Sequence, residues 1–149
     1  NRYLKWRGIL NSEPPRRPDP ARPAGPPVFR SQDWKFRFIG SECTECGTRH
    51  LPPQSVYVKC GAVQKMKDAE YAKERGRIAT YTLDLLAFHL APPMVMAMVD
   101  FEAGGRCELE ITDCEPDKVA IGNELVLTFR RLYTADGIHN YFWKARPAR

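Results

Sequence analysis

Residues 43–61 read CTECGTRHLPPQSVYVKCG. Cys43-x-x-Cys46-Gly47 is one half of a metal knuckle: two thiolates at that spacing, with a glycine that lets the chain turn beneath them, suit a tetrahedral zinc ion. A zinc ribbon repeats the motif roughly 10–20 residues further on. Here the second half is incomplete. Cys60-Gly61 supplies its last two positions, and Tyr57 stands where its first cysteine belongs. Three candidate metal ligands remain: Cys43, Cys46 and Cys60. His50 is one candidate for the fourth ligand; a group from elsewhere, including a partner, is the other. Two readings stay open. In one, the knuckle holds a structural Zn2+. In the other it is a relict held by packing, with the Tyr57 ring in the metal's place. A small zinc peptide gains about 10 kcal/mol or more from its ion, whereas a knuckle attached to a larger domain tolerates its loss. A catalytic zinc finds no matching general base nearby. A redox CxxC normally opens a helix, and here Gly47 and Pro52-Pro53 follow instead.

Outward from this stretch, the totals bound the protein class. The 149 residues fit one domain, or one small domain with an appendage, and 43% hydrophobic residues suffice for a core. Five cysteines make an odd number without the spacing of a disulfide framework, so reduced thiols in a cytoplasm are expected. No apolar run reaches 18 residues, so no membrane span is expected. Asn1–Leu10 is charged and aromatic, unlike a secretion leader. The net charge of +5 is unevenly placed. Residues 1–40 carry nine Lys/Arg against three Asp/Glu, while residues 41–149 carry fourteen against fifteen. A nucleic-acid-binding body normally has a basic face of its own. A single-strand-binding barrel is therefore the alternative reading, and its binding would have to come from the arm.

Composition divides the chain into three parts. Residues 1–30 form an arm. It opens with Tyr3, Leu4, Trp6, Ile9 and Leu10 at near-helical spacing over 1–12. It continues in a stretch, 13–30, with seven of the thirteen prolines, which favours extended backbone. Residues 31–75 hold the knuckle. Trp34, Phe36 and Phe38 alternate with Lys35, Arg37 and Ile39, a period of 2 that predicts a strand, and Lys65–Arg75 predicts a short exposed helix or a loop. Residues 76–149 read as strands broken by turn signals. GRIATYTLDLL, PMVMAMVDF, RCELEIT, ELVLTFRRLY and IHNYFWKA are the five. Cys107, Leu109 and Ile111 alternate with Glu108, Glu110 and Thr112, which marks a half-buried strand with Cys107 on its apolar face. Met94, Met96 and Met98 share one face of their strand, with Val95, Ala97 and Val99 on the other, so the strand is expected to be buried on both sides or covered by a partner. The fold class is thus mainly β: an N-terminal helix and proline-rich arm, a zinc-ribbon-like knuckle, and a five-stranded barrel of the OB type.

These pieces in this order, SECTECGTRHLPPQSVYVKCGAV, IATYTLD, APPMVMAMVDFEAGGR and IGNELVLTFRRLYTADGIHNYFWKARP, resemble the DUF35, or acyl-CoA-associated OB-fold, family. That family pairs a rubredoxin-like zinc ribbon with an OB-fold, and the resemblance runs from about Trp34 to Pro147. Tyr57 departs from it, where the family usually has its third zinc cysteine. NRYLKWRGILNSEPPRRPDP is similar to the lead-in of members linked to a synthase of the hydroxymethylglutaryl-CoA type. The resemblance implies a non-catalytic accessory subunit beside a thiolase-superfamily enzyme (a thiolase, an acyl-CoA aldolase or a synthase) in a hetero-oligomer that forms or cleaves C–C bonds. It implies structural Zn2+ and a CoA thioester bound by the complex. It implies no nucleic acid, no membrane and no catalytic residue in this chain.

The remaining candidates concern contact with acyl-CoA or a partner. Arg130 and Arg131 end a strand, and an arginine fork suits phosphate; a solvated strand end is the plainer role. His139 alternates with Tyr141 and Trp143 on the last strand, a mixed aromatic and polar face of the kind found at interfaces. His89 lies in the loop before Pro92-Pro93, among apolar residues.

Overall fold

The computed structural model describes residues 3, 25–87, 89, 92–135 and 138–148. The expected helix over 1–12, apart from Tyr3, and the proline-rich residues 13–24 lie outside the described residues. Where the arm enters them it is helical rather than extended: α1 spans Gly25–Arg30. Pro26 and Pro27 sit in its first turn, where the missing N–H costs nothing and the fixed φ is already helical.

The expected strand over Trp34, Phe36 and Phe38 is not formed. Asp33–Arg37 is a π-helical turn, and Phe38 ends it in the left-handed region (φ 56°), its N–H donating to the Asp33 carbonyl. The reason is tertiary. The three aromatic rings do not alternate between two faces; each meets an aromatic group of the barrel. Trp34 meets Phe142 edge-on at 6.4 Å, Phe36 meets Phe129 at 6.5 Å, and Phe38 lies 5.5 Å from Trp143. The Trp143 indole N–H donates to the Phe36 carbonyl at 3.0 Å and pins the turn.

Next comes a three-stranded antiparallel sheet of β1 (Ile39–Cys43), β2 (Arg49–His50) and β3 (Met66–Glu70), in the order β2-β1-β3. The segment expected as a helix or loop over Lys65–Arg75 is therefore largely an edge strand. Its charge is what hid it: Lys67, Asp68 and Glu70 are exposed, as edge strands often are, and only Ala69 is buried. Glu42 on β1 fixes the register on both sides. It pairs with its cross-strand partners Arg49 (2.7 Å) and Lys67 (2.8 Å). Gly40 is required at the centre, because a Cβ there would stand 2.3 Å from the His50 carbonyl oxygen and 2.6 Å from the Tyr71 ring.

The five expected strands close into a barrel. They are β4 (Arg75–Asp84), β5 (Met94–Phe101), β6 (Arg106–Ile111), β7 (Glu124–Ala135) and β8 (Ile138–Pro147), in the order β4-β5-β6-β8-β7. Val95, Ala97, Val99 and Phe101 point inward with Ile78, Leu109, Ile111, Leu125 and Ala145. Alternation along β5 accounts for this. The same alternation corrects the expectation that this chain itself buries both faces of the strand. Met94, Met96 and Met98 are only partly buried on the outer face, so β5 has one core face rather than two. Phe38 and Tyr71, both fully buried, join the small sheet to the barrel in one core. Phe38 touches Tyr71, Phe101 and Phe142 edge-on. The Tyr71 hydroxyl donates to the Gly104 carbonyl at 3.0 Å, and burial pushes its pKa up to about 12. Among the described residues no helix is long and apolar enough to cross a membrane.

Candidate metal centre and contact surfaces

The small sheet carries two turns with one backbone design. In the first, the Gly47 N–H donates to the Cys43 carbonyl (2.9 Å) and the Cys43 N–H to the Thr48 carbonyl (2.9 Å). In the second, the Gly61 N–H donates to the Tyr57 carbonyl (2.8 Å) and the Tyr57 N–H to the Ala62 carbonyl (3.1 Å). Gly47 (φ 67°) and Gly61 (φ 69°) adopt the same left-handed conformation. Positions 43, 46, 47 and 48 therefore match positions 57, 60, 61 and 62 hydrogen bond for hydrogen bond. Tyr57 occupies a ligand slot by backbone geometry as well as by spacing.

The two turns bring three thiols together. The sulfurs of Cys43, Cys46 and Cys60 all lie within 4.8 Å of one another, close enough to hold a metal ion. Cys43 and Cys60 are 3.6 Å apart. Two sulfurs on one zinc stand about 3.8 Å apart when each Zn–S bond is about 2.3 Å. Cys46 and Cys60 are shifted in opposite directions. Hydrogen bonding from the Thr48 side chain, then from its backbone N–H, lowers the Cys46 pKa to about 7. At Cys60 the Ala62 backbone N–H favours the thiolate, but the neighbouring Cys46, burial and Cys43 together raise the pKa.

The fourth corner is different. Tyr57 is fully buried and packs with Cys43, Cys46, Ala62 and Met66. His50 does not stand among the sulfurs; its ring meets Tyr57 edge-on at 4.8 Å. The Tyr57 hydroxyl and His50 Nε2 are both buried, and neither makes a hydrogen bond. The residues thus offer three soft donors and a phenol ring. They do not fit the closed four-ligand site of a structural zinc.

The other candidates do not converge on one point. Phe129, Arg131, Tyr141 and Trp143 share a face of the β7–β8 hairpin, where Phe129 pairs with Trp143 and Arg131 with Tyr141. Phe129 and Tyr141 stack at 5.6 Å with 14° between their planes. His139 also lies on this hairpin and is exposed, with Nδ1 2.8 Å from the Thr134 hydroxyl. Arg130 points to the opposite face, as successive strand residues must, and pairs with Asp113. The two arginines therefore do not form one fork. His89 lies elsewhere, 2.9 Å from Glu110, which also binds Lys144. Cys107 packs against the core, where burial pushes its thiol up to about 11.

Two features escaped sequence reasoning. Glu110 reads as the polar half of an alternating strand and nothing marks it as the anchor of His89. A cavity of about 330 Å³, floored by Ile78, Ile111, Val119 and Leu125 and edged by Cys114 and Lys118, forms where residues 113–123 cross the barrel. No local signal predicts it, because its walls come from four separate segments.

Known proteins share this fold. A family model described as the C-terminal OB-fold domain of ChsH2 matches residues 69–130. Over 125 residues the chain is 30% identical to a DUF35 domain-containing scaffold protein of Methanothermobacter thermautotrophicus, covering 80% of this chain and 93% of that one. The chain belongs to the DUF35 family. A DUF35 domain-containing scaffold protein of Methanocaldococcus jannaschii is also 30% identical, over 76% of this chain and 83% of its own. Among solved structures, a chain of the Ltp2-ChsH2(DUF35) aldolase superposes with a TM-score of 0.62 at 25% identity, over 88% of this chain and 98% of that one. A DUF35-family protein of unknown function from Sulfolobus solfataricus shares the fold, with a TM-score of 0.51 at 20% identity over 97% and 98% of the two chains.

Proposed function

We propose that this chain is a non-catalytic scaffold subunit that binds a thiolase-superfamily enzyme and helps to hold or channel its acyl-CoA. The carrying observation is that DUF35 relatives matched over most of their length are scaffold proteins, and that a structural neighbour is part of an aldolase paired with a DUF35 chain. In this reading the partner supplies the nucleophile and the acid and base groups. The arm (1–30), the ribbon (31–75) and the barrel (76–149) act as successive units, the arm and barrel offering contact surface in a hetero-oligomer in the cytoplasm.

The chain's own residues agree with a binding role. His50, His89 and His139 each stand against a structural neighbour: Tyr57, Glu110 and Thr134. The hairpin face instead presents Phe129 and Tyr141, each more than a third exposed, beside Arg131 and His139. Partly exposed aromatic groups beside an arginine suit a protein interface or the nucleotide end of CoA.

The test is co-purification from native cells without a strong tag, with every chain identified by mass spectrometry. A stoichiometric thiolase-type partner that releases the chain when Phe129→Asp and Tyr141→Asp are combined is the expected result. A lone chain, or one carrying nucleic acid in a salt-sensitive manner, would overturn the reading.

A further inference from the structure

The two turns of the ribbon define inner and outer positions. Cys43 and Tyr57 hold the equivalent inner slots, 1% and 0% exposed, while Cys46 is half-buried and Cys60 exposed. The ligand that is missing is therefore an inner one. A water molecule that completes a tetrahedron would have to reach that side. The Tyr57 ring fills it, in contact with the cluster that contains Cys43, Cys46, Ala62 and Met66. Nor does Tyr57 act as a ligand itself, since its hydroxyl makes no hydrogen bond to any sulfur. No His, Asp or Glu among the described residues joins the three thiols.

We propose that this centre is a trigonal three-thiolate site whose fourth side is closed by the Tyr57 ring. The ribbon then folds without a metal. An ion that enters is bound by three sulfurs, and the site takes thiophilic ions content with three soft ligands, monovalent copper being the biological class, in preference to four-coordinate zinc. The physical grounds are two. Thiolates select soft ions, and a metal's fourth ligand cannot come from the side that the buried Tyr57 ring occupies. Nothing in this rests on a partner enzyme, so it stands or falls apart from the scaffold reading.

The experiment uses the full chain, stripped with a chelator and kept reduced and free of oxygen. Copper(I) is presented against the competing chelator bathocuproine disulfonate, and zinc against a chromogenic zinc chelator. X-ray absorption counts the sulfur neighbours of whatever is bound. The expected result is one copper(I) per chain with three sulfurs, and ribbon amide signals in the metal-free NMR spectrum at the same dispersion as in the loaded one. Cys60→Ser, at an exposed position, abolishes the copper without unfolding the chain. Tyr57→Cys gains zinc affinity. Loss of a metal's outer partner alone costs about tenfold in affinity, so restoring a full ligand gains more than that. Zinc held by four ligands in the unsubstituted chain, a metal-free ribbon without dispersed signals, or failure to hold copper(I) would each overturn the proposal. If Tyr57→Cys does not fold, the count of sulfurs in the unsubstituted chain decides by itself.

Discussion

The turn at Cys43–Thr48 and the turn at Tyr57–Ala62 trace one backbone path with two different side chains at its inner position. Both close through a glycine near φ +68° and through the same pair of hydrogen bonds. One presents a thiol, the other a phenol. The path of a metal knuckle is thus set by its glycine and its hairpin bonds. The first side chain decides only whether the turn is tied down by a metal or by burial. Tyr57 takes the second route, and it brings a larger apolar area to the smaller of the two cores among the described residues. That core, separate from the barrel's, consists of buried Cys43, Tyr57 and Ala62, with Cys46 and Met66 against it.

The comparison breaks most visibly at Tyr57. Tyr57→Ala should cost about 3–5 kcal/mol, the usual loss for emptying a large buried aromatic site. Urea unfolding measures it, and the NMR signals of β4–β8 should survive while those of residues 43–66 collapse. A loss below about 1 kcal/mol would mean that burial does not hold the second turn.

Gly105 at the seam gives the next largest effect. It too has a positive φ, 93°, but a Cβ there would stand 2.5 Å from the Tyr71 hydroxyl. Gly105→Ala should cost on the order of 1–3 kcal/mol from strain and displacement of that hydroxyl. The tyrosinate absorbance titration reports the same change: Tyr71, which ionises at about 12 in the native chain, should ionise earlier. The sign follows from its raised pKa. The stability Tyr71 contributes is full below the ordinary tyrosine value of 10.0 and is lost as pH rises toward 12.

Gly47→Ala and Gly61→Ala sharpen the likeness of the two turns. Both positions have open space around an added Cβ, so only the left-handed backbone is penalised. Each should cost about 1 kcal/mol, and the two thermal shifts should agree. Unequal shifts would show that the turns are held in different ways.

The smallest effect belongs to Glu42, which ties β1 to both neighbours. Hydrogen bonding from Lys67, then from Arg49, holds its pKa below the ordinary value of 4.5. Its contribution is present above that value and is lost as pH falls through the lowered one. Because the pairs reach the surface, salt should screen them. The difference between the native chain and Glu42→Gln should therefore shrink on acidification and in high salt, as read from urea midpoints.

Much of this molecule was legible in residue order. The strand RCELEIT shows its inward Leu109 and Ile111 by simple alternation, and the turn residues around Gly104-Gly105 and Gly122 bound the strands that close the barrel. The three thiols of the candidate centre were legible from spacing, and so was the odd position of Tyr57. Other elements were not. Trp34, Phe36 and Phe38 alternate like a strand, yet they form a π-helical turn because three barrel aromatics draw them to one side. Met66–Glu70 carries the charges of a loop or surface helix, yet it is a strand because β1 offers it an open edge and Glu42 offers it a partner. Arg130 and Arg131 read as a pair, yet strand geometry sends them to opposite faces.

What residue order determined by itself was local: the period-2 strands, the glycine turns, and a metal motif short of one ligand. Each follows from chain stereochemistry and spacing within a few residues. What only the tertiary structure decided was who faces whom. It packed the buried Tyr57 ring into the cluster with Cys43 and Cys46 and turned His50 onto that ring. Those outcomes depend on contacts between segments far apart in sequence, where burial and packing outweigh the preferences of any single stretch.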